Sequence, residues 1–236
     1  MPFSNDARAQ LLVEAEADVR RWCRPRDQWI GGNRHPDTHW LALFTGLVTE
    51  GDAHRFLVTF QLTNHVIWRK QAVAHAIMGL RAKPTFDPVI DIPVLAGQLP
   101  TEGRMRQHSS AASKIATFAR PEADVFIWDR LASKAARHRD WHRAGRTGWR
   151  RLNSLYRKAD GHDYAAFWRA CAQAREDERQ KSDFRAARDR LIADFRGGAG
   201  GAEMADPVHV PDGFIERRLL DKLMFAEGRW IERYRS

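Results

Sequence analysis

Cysteine is scarce in this 236-residue sequence, which has only Cys23 and Cys171. Two isolated cysteines exclude a disulfide framework and a cysteine-rich zinc site. The chain also lacks an apolar run of the roughly 18 residues that a transmembrane helix requires. Its opening residues, MPFSNDARAQ, lack the basic and then apolar pattern of a signal peptide. We therefore expect a cytoplasmic protein with no membrane partner.

The sequence motifs of common cofactor sites are missing as well. No GxxxxGK[ST] loop occurs, and no GxGxxG lies between a strand and a helix, which argues against nucleotide hydrolysis and dinucleotide chemistry. His138 and His142 stand four residues apart around Asp140, a spacing that suits two metal ligands on one helical face. No third ligand is evident in the sequence, so we expect neither a metal nor another cofactor.

Positive charge, by contrast, is abundant. Lysine and arginine number 39 against 30 acidic residues, which gives a net charge of +9. Most of this charge is arginine, whose planar guanidinium binds phosphate through two hydrogen bonds and stacks on bases. The composition favours a nucleic-acid partner, although arginine-rich chains without such a partner also occur.

Apolar residues recur at helical spacing along most of the chain, and no alternating run is long enough for a sheet. We predict an all-α fold, a mixed helical array of two lobes around a cleft, in one domain spanning 1–236. Its central part is expected at 53–140, with C-terminal helices in 146–236 packing on an N-terminal helix at 5–24. The predicted helices are 4–22, 38–51, 53–68, 69–82, 123–139, 149–158, 164–179, 183–195 and 211–230. The proline-rich stretch 83–103 is predicted to be an irregular connection with at most a turn or two of helix around Val94 to Gly97.

Two segments interleave aromatic and basic residues, as stacking on bases together with backbone neutralisation would require. In RAGRTGWRRLNSLYRK we expect the arginines to face phosphate, and in HVIWRKQ the aromatic residue Trp68 is more simply a core anchor. The arginines expected to face phosphate are Arg143, Arg146, Arg150, Arg151 and Arg157.

A third segment, SSAASKIATFARPEADVFIWDR, contains two residues suited to glycosidic chemistry. Lys114 lies in a helix-like run of small residues, and burial beside other cations would lower its pKa enough to make it a nucleophile. Asp129 directly follows the apolar string VFIW, and a carboxylate held near a sugar stabilises an oxocarbenium-like transition state. The residues alone equally allow a helix cap at Asp129 and a surface charge at Lys114.

The combination SAASKIATF…VFIWDRLASKAAR resembles the helix-hairpin-helix DNA glycosylase superfamily, in particular its 8-oxoguanine DNA glycosylase branch. In that superfamily the lysine begins the second helix of the hairpin, and an aspartate opens a following helix. The upstream RFLVTFQLTNHVIWRKQAVAHAIMGL is similar to the opening helix pair of the family. Serines stand where family members have hairpin glycines, and IERRLLDKLMFAEGR looks like a closing helix.

The resemblance implies a monomeric hydrolase that flips a damaged or modified base out of duplex DNA and cleaves its N-glycosidic bond. It assigns catalysis to Asp129 and Lys114, with the lysine forming a Schiff base. Base excision would serve repair or defence against modified phage DNA. The base pocket implied comprises Thr63, Asn64, His65, Trp68 and Trp128, and the DNA contacts are Ser109, Ser110, Ser113, Arg130, Arg143, Arg146, Arg150 and Arg151. The alternatives are a non-catalytic nucleic-acid-binding protein and a protein-interaction scaffold.

Overall fold

The structure, a computed structural model, describes residues 4–22, 35–63, 67–99, 101–102, 108–146, 156–158, 161–196 and 210–233. Helices dominate these ranges, and the strands among them are two-residue pieces, so the all-α prediction is confirmed. The helices are α1 Asn5–Trp22, α2 Asp37–Leu43, α3 Glu50–Thr59, α4 Lys70–Ala82, α5 Pro88–Gln98, α6 Ser109–Ala119, α7 Arg130–Arg143, α8 Tyr164–Arg179, α9 Ser182–Arg196 and α10 Asp212–Arg233.

The described residues contain four short strands, which form two antiparallel pairs. Strand β1, Ile67–Trp68, pairs with β2, Thr101–Glu102. Strand β3, Arg157–Lys158, pairs with β4, Gly161–His162. The pair β1–β2 joins two stretches that are distant in sequence, and the pair β3–β4 joins two that are close in sequence. Neither pair forms a layer of the fold.

The chain divides into two compact units. Unit 1 comprises Met1–Arg20, Phe126–Ala199 and Asp212–Ser236, and unit 2 comprises Arg21–Val125 and Gly200–Pro211. The boundary at residue 125 therefore lies inside the segment 53–140 that the sequence predicts to be one central part.

The core of unit 2 is a cluster of aromatic rings on α2, α3 and α6. Trp40 is fully buried and meets the Phe56 ring edge-on, with 5.2 Å between ring centroids. Phe118 of α6 packs edge-on against Phe56 at 5.8 Å and against Phe44 at 6.4 Å. These apolar rings are spaced at helical intervals in the sequence, so burying them together fixes how the three helices pack.

Unit 1 is organised around α7 and α10, whose backbones touch. A methyl group added at Gly228 of α10 would lie 2.1 Å from the carbonyl oxygen of Leu131 in α7. Only a residue without a side chain permits this approach. The remaining helices of unit 1 connect to this pair through apolar residues and through the ion pairs described below.

Several predicted boundaries in unit 2 are wrong. The predicted helix 38–51 ends at Leu43, and α3 begins at Glu50 with Thr49 as its cap. Thr49 and Asp52 cap each other, since the Thr49 hydroxyl accepts from the Asp52 backbone N–H and the Asp52 carboxylate accepts from that of Thr49. Asp52 is thus the third residue of α3, and the helix ends at Thr59 rather than continuing to residue 68.

The proline-rich stretch forms an eleven-residue helix, α5, where the sequence predicts an irregular connection. Pro88 occupies its first position, where the missing N–H costs nothing, and Asp87 caps it by accepting from the Val89 N–H at 2.9 Å. Pro93 lies inside the helix and forfeits one hydrogen bond. Burial of Ile92 and Leu95, in a helix that packs on α6, offsets that loss.

The predicted helix 123–139 starts later, at Arg130, because residues 124–129 are neither helix nor strand. The predicted helix 149–158 lies mostly outside the described residues, and its end, at 157–158, is strand β3. The predictions for α8, α9 and α10 differ from the structure by at most three residues at an end. None of the helices in the described ranges is both long enough and apolar enough to cross a membrane.

Candidate functional site

Asp129 lies between the buried non-helical residues 125–128 and the start of α7. Its backbone is in the β region, and its carboxylate Oδ1 accepts a 2.7 Å hydrogen bond from the Leu131 backbone N–H. Aspartate is a preferred cap because this bond satisfies a donor that the helix leaves without a partner. The side chain is half-buried, since the residues before it are buried while Arg130 after it is exposed. The capping role proposed from the residues alone is therefore observed.

Trp128, assigned to the base pocket by the resemblance, lies in the core of unit 1. It is only 3% exposed. Its ring stacks on His162 at 4.6 Å between centroids and meets Phe167 edge-on at 4.9 Å. The family resemblance implies that this indole stacks on a base, but in the structure it contacts two rings of the protein itself.

Arg130, expected to contact DNA, is bound by a carboxylate of α10. Both Arg130 and Lys134 contact Glu232. The hydrogen bond from Arg130 is the largest influence on Glu232 and, with Lys134, lowers the pKa of that carboxyl to about 2. The Glu232 carboxylate is shared by both cations and therefore compensates part of the positive charge of Arg130.

Lys114 lies on α6, in unit 2, among the serines that the sequence associates with DNA. Its Nζ donates a 3.1 Å hydrogen bond to Ser110 Oγ, one turn earlier on the helix. Ser113 Oγ donates to the Ser110 carbonyl oxygen at 3.3 Å, and Ser113 and Ser109 are buried. Of the three serines, only Ser110 is partly exposed, so it is the one best placed to reach a phosphate.

The other expected pocket residues are described only in part. Thr63 lies in the turn after α3 and is half-buried. Trp68 lies in β1, where it pairs with Thr101. Asn64, His65 and the Trp68 side chain are outside the described residues, as are Arg150 and Arg151.

Two described arginines, at the end of α7 and just after it, differ sharply in their partners. Arg143 donates to Asp140 at 2.9 Å and to Asp177 at 2.7 Å. Arg146 lies over the Trp141 ring, 5.2 Å from its centroid. The first is compensated by two carboxylates, whereas the second is held by an aromatic face.

A buried ionic network, which sequence reasoning missed, links four helices of unit 1. Arg139 of α7 binds Glu227 of α10 through two hydrogen bonds, of 2.8 and 2.6 Å, and Glu178 of α8 at 2.9 Å. Glu178 also binds Arg8 of α1 and, at 2.7 Å, Lys181. Glu178 and Glu227 are completely buried, and charges at such depth require partners of this kind.

The network shifts the ionisation of its members strongly. Burial alone would raise the pKa of Glu178, but Arg139, Arg8 and Lys181 hold it at about 2. Burial would likewise lower the pKa of Arg139, yet its two glutamates raise it above the usual value. Glu178 and Arg139 therefore stay charged at neutral pH, which makes this a structural centre rather than a source of protons.

Beside the network is a cavity of about 480 Å³ between α7 and α8. Its lining cations are already paired with carboxylates, so little uncompensated charge remains to attract an anion. Also on α7, the His138 and His142 rings meet edge-on at 4.6 Å. Within the described ranges no three potential ligands gather to hold a metal ion. The lining residues of the cavity are Arg139, His142, Arg143, Gln173, Asp177 and Lys181.

No protein-family model, curated protein or solved structure matches the chain.

Proposed function

We propose that the protein is a DNA glycosylase that removes a modified or damaged base from DNA. The observation that carries the proposal is the position of Asp129, a half-buried carboxylate at the N-terminus of α7. Only one of its oxygens is engaged by the Leu131 N–H. A carboxylate fixed in this way, at a helix end that attracts negative charge, is suited to stabilising a cationic sugar.

In the proposed reaction the target nucleotide is flipped out of the duplex. The bond between C1′ and the base nitrogen breaks, and the base leaves with the electron pair and takes up a proton. Asp129 stabilises the positive charge that develops on the sugar ring. For Lys114 we propose a separate, later step on the sugar left after base release. Its Nζ loses a proton to solvent and adds to C1′, and opening of the sugar ring then gives a Schiff base.

The experiment is incubation with a panel of duplexes carrying damaged bases and phage-type modified bases, scored for abasic sites. Asp129→Asn is the informative variant because asparagine caps a helix as well as aspartate does but carries no charge. It should abolish base release while leaving the unfolding midpoint unchanged. Asp163→Asn is the matched control, since Asp163 caps α8 through a 3.0 Å bond from the Ala166 N–H, and should retain full activity.

The role of Lys114 is tested separately by borohydride, which traps a Schiff base as a stable protein–DNA adduct. Lys114→Arg keeps the positive charge and should lose trapping completely. Base release without trapping in the wild type would remove Lys114 as nucleophile and leave the role of Asp129 standing. No abasic product from any duplex would refute the glycosylase proposal.

A non-catalytic nucleic-acid-binding protein is the second candidate, and one observation favours it. The Asp129 carboxylate makes the hydrogen bond of an ordinary helix cap, which needs no catalytic explanation. This candidate predicts salt-dependent DNA binding without base release, and wild-type binding by Asp129→Asn.

A further inference from the structure

Most of the arginines in unit 1 are bound to carboxylates, so the net charge of +9 does not show where an anion would bind. Arg8, Arg20, Arg130, Arg139 and Arg143 each contact one or two acidic residues. The same holds on α8 and α9 for Arg179, Arg188, Arg190 and Arg196. A compensated guanidinium contributes little to the binding of phosphate.

Arg137 and Arg146 are different. Within the described ranges, neither forms an ion pair with a carboxylate. Each lies over an aromatic ring instead: Arg137 over Tyr156 at 5.0 Å and Arg146 over Trp141 at 5.2 Å from the ring centroid. The nearby carboxylate of Asp140 is occupied by Arg143 and by the Tyr156 hydroxyl.

The local backbone holds these groups together on one surface. Arg137 and Trp141 are four residues apart on α7 and so share a helical face. After α7, Gly145 adopts a left-handed conformation with φ of +66°, which glycine tolerates without strain. The chain turns back, and the Arg146 N–H donates to the Trp141 carbonyl oxygen at 3.1 Å. The turn thereby brings Arg146 over the Trp141 ring.

We propose that this surface, formed by Arg137, Trp141, Arg146 and Tyr156, binds the phosphate backbone of nucleic acid. The inference rests on the proposed action on DNA and gives that action a binding surface. A guanidinium stacked on a ring keeps its outer N–H groups available for hydrogen bonds to phosphate. The Nε of Arg137 is buried and has no hydrogen-bond partner among the described residues, so this arginine offers phosphate its two terminal Nη groups. The rings restrict both side chains before binding, so less conformational entropy is lost when phosphate binds. Of the arginines expected to contact DNA, Arg146 keeps this role. Arg130 and Arg143 bind carboxylates instead, and Arg137, which the sequence analysis does not single out, is added.

The test measures binding of an unmodified 20-base-pair duplex by fluorescence anisotropy at several salt concentrations. The double variant Arg137→Gln/Arg146→Gln should lower the slope of log K against log salt by about 1.8, or about 0.9 for each phosphate that is no longer neutralised. Affinity near physiological salt should fall roughly 10- to 30-fold. Arg137→Lys/Arg146→Lys keeps both charges, and so should retain the slope while binding more weakly.

Arg169→Gln is the matched control, because it removes an arginine of α8 in the same unit. It should change the slope by less than about 0.3, whereas a reduction equal to half that of the double variant would mean that charge anywhere on unit 1 suffices. Circular dichroism melts confirm that each variant is folded.

The outcomes separate this inference from the proposed function. A reduced slope in the double variant, with no base release from any duplex, supports the surface and refutes the glycosylase. An unchanged slope, with base release intact, refutes the surface and leaves the glycosylase standing. Binding of an acidic peptide but not of the duplex would also overturn the inference, because the partner would then be a protein.

Discussion

Replacing Gly228 with alanine is expected to lower the free energy of unfolding by at least about 3 kcal/mol. The new Cβ would lie 2.1 Å from the Leu131 carbonyl oxygen and 2.6 Å from its carbonyl carbon. Ordinary contact begins near 3.4 Å, so the helices would have to separate there by about 1.3 Å, the difference between 3.4 and 2.1 Å. Because the opposing atoms belong to helical backbone, no side-chain rotation can relieve the clash.

Separating α7 from α10 would also break hydrogen bonds, and this second cost sets the size of the expected loss in the free energy of unfolding. Glu227, the preceding residue, binds Arg139 through hydrogen bonds of 2.8 and 2.6 Å. Moving α10 away from α7 by more than 1 Å would break them, and disrupting a buried ion pair costs about 3–5 kcal/mol. Overpacking alone costs about 1–3 kcal/mol. The two effects overlap, so about 3 kcal/mol is the lower bound.

Urea unfolding followed by circular dichroism measures the effect. Gly79→Ala is the control, since nothing lies within 4 Å of a Cβ at that position of α4. Alanine there should stabilise the helix by up to about 1 kcal/mol, so the two variants should change stability in opposite directions. A decrease of less than about 1 kcal/mol in Gly228→Ala would refute the backbone contact between α7 and α10.

Three other perturbations test the ion pairs, the buried histidine and the helix cap. Glu227→Gln should cost about 3–5 kcal/mol because it leaves Arg139 buried and undercompensated, whereas Glu232→Gln at a more exposed pair should cost less than about 1 kcal/mol in the same urea assay. Burial, with a neighbouring histidine, lowers the pKa of His138 to about 3; the unfolded chain therefore binds the proton first, and stability should fall as pH drops from 6.5 towards 3. His138→Leu should reduce that slope by up to about 1.4 kcal/mol per pH unit, and an unchanged slope would contradict the assignment. Asp129→Ala should cost about 1 kcal/mol and Asp129→Asn almost nothing, so equal losses would argue against capping.

Local sequence signals predict the helices that local interactions specify. The periodic apolar residues of α1, α4, α8 and α10 give their extents within a few residues, and the alanine- and serine-rich run indicates α6. Asp129 is recognisable as a candidate cap because the cap and its helix are adjacent in sequence.

The errors arise where distant residues decide the structure. The end of α2 is held by Arg81 of α4, whose guanidinium donates to the carbonyl oxygens of Phe44 and Gly46 at 2.6 and 2.5 Å. No signal within residues 38–51 reveals that partner. In α5, packing on α6 outweighs the helix-breaking tendency of Pro93, which a local rule treats as decisive.

The same limitation applies to the arginines of the candidate site. The interleaved aromatic and basic residues suggest that Arg143 faces phosphate, and the family resemblance suggests the same for Arg130. Each has an acidic partner far along the chain, 34 residues on for Arg143 and 102 for Arg130, although Asp140, a second partner of Arg143, is only three residues away. The sequence does not separate Arg137 from the other arginines, because what sets it apart is the Tyr156 ring beneath its guanidinium. Which guanidinium groups remain available to bind phosphate depends on which arginines pair with carboxylates, and only the tertiary structure shows that pairing.

The bond between Arg8 and Glu178 also constrains the order in which the protein can fold during synthesis. The ribosome completes Arg8 170 residues before its partner, a delay of roughly 10–35 s at about 5–20 residues per second. Unit 2 is nearly continuous in sequence between Arg21 and Val125, so its aromatic core can assemble during this interval. Throughout that time α1 lacks the carboxylates of α8 and α9 that bind its arginines, and an isolated helix of 18 residues is only marginally stable in water. The first helix of the chain is thus among the last to become fixed.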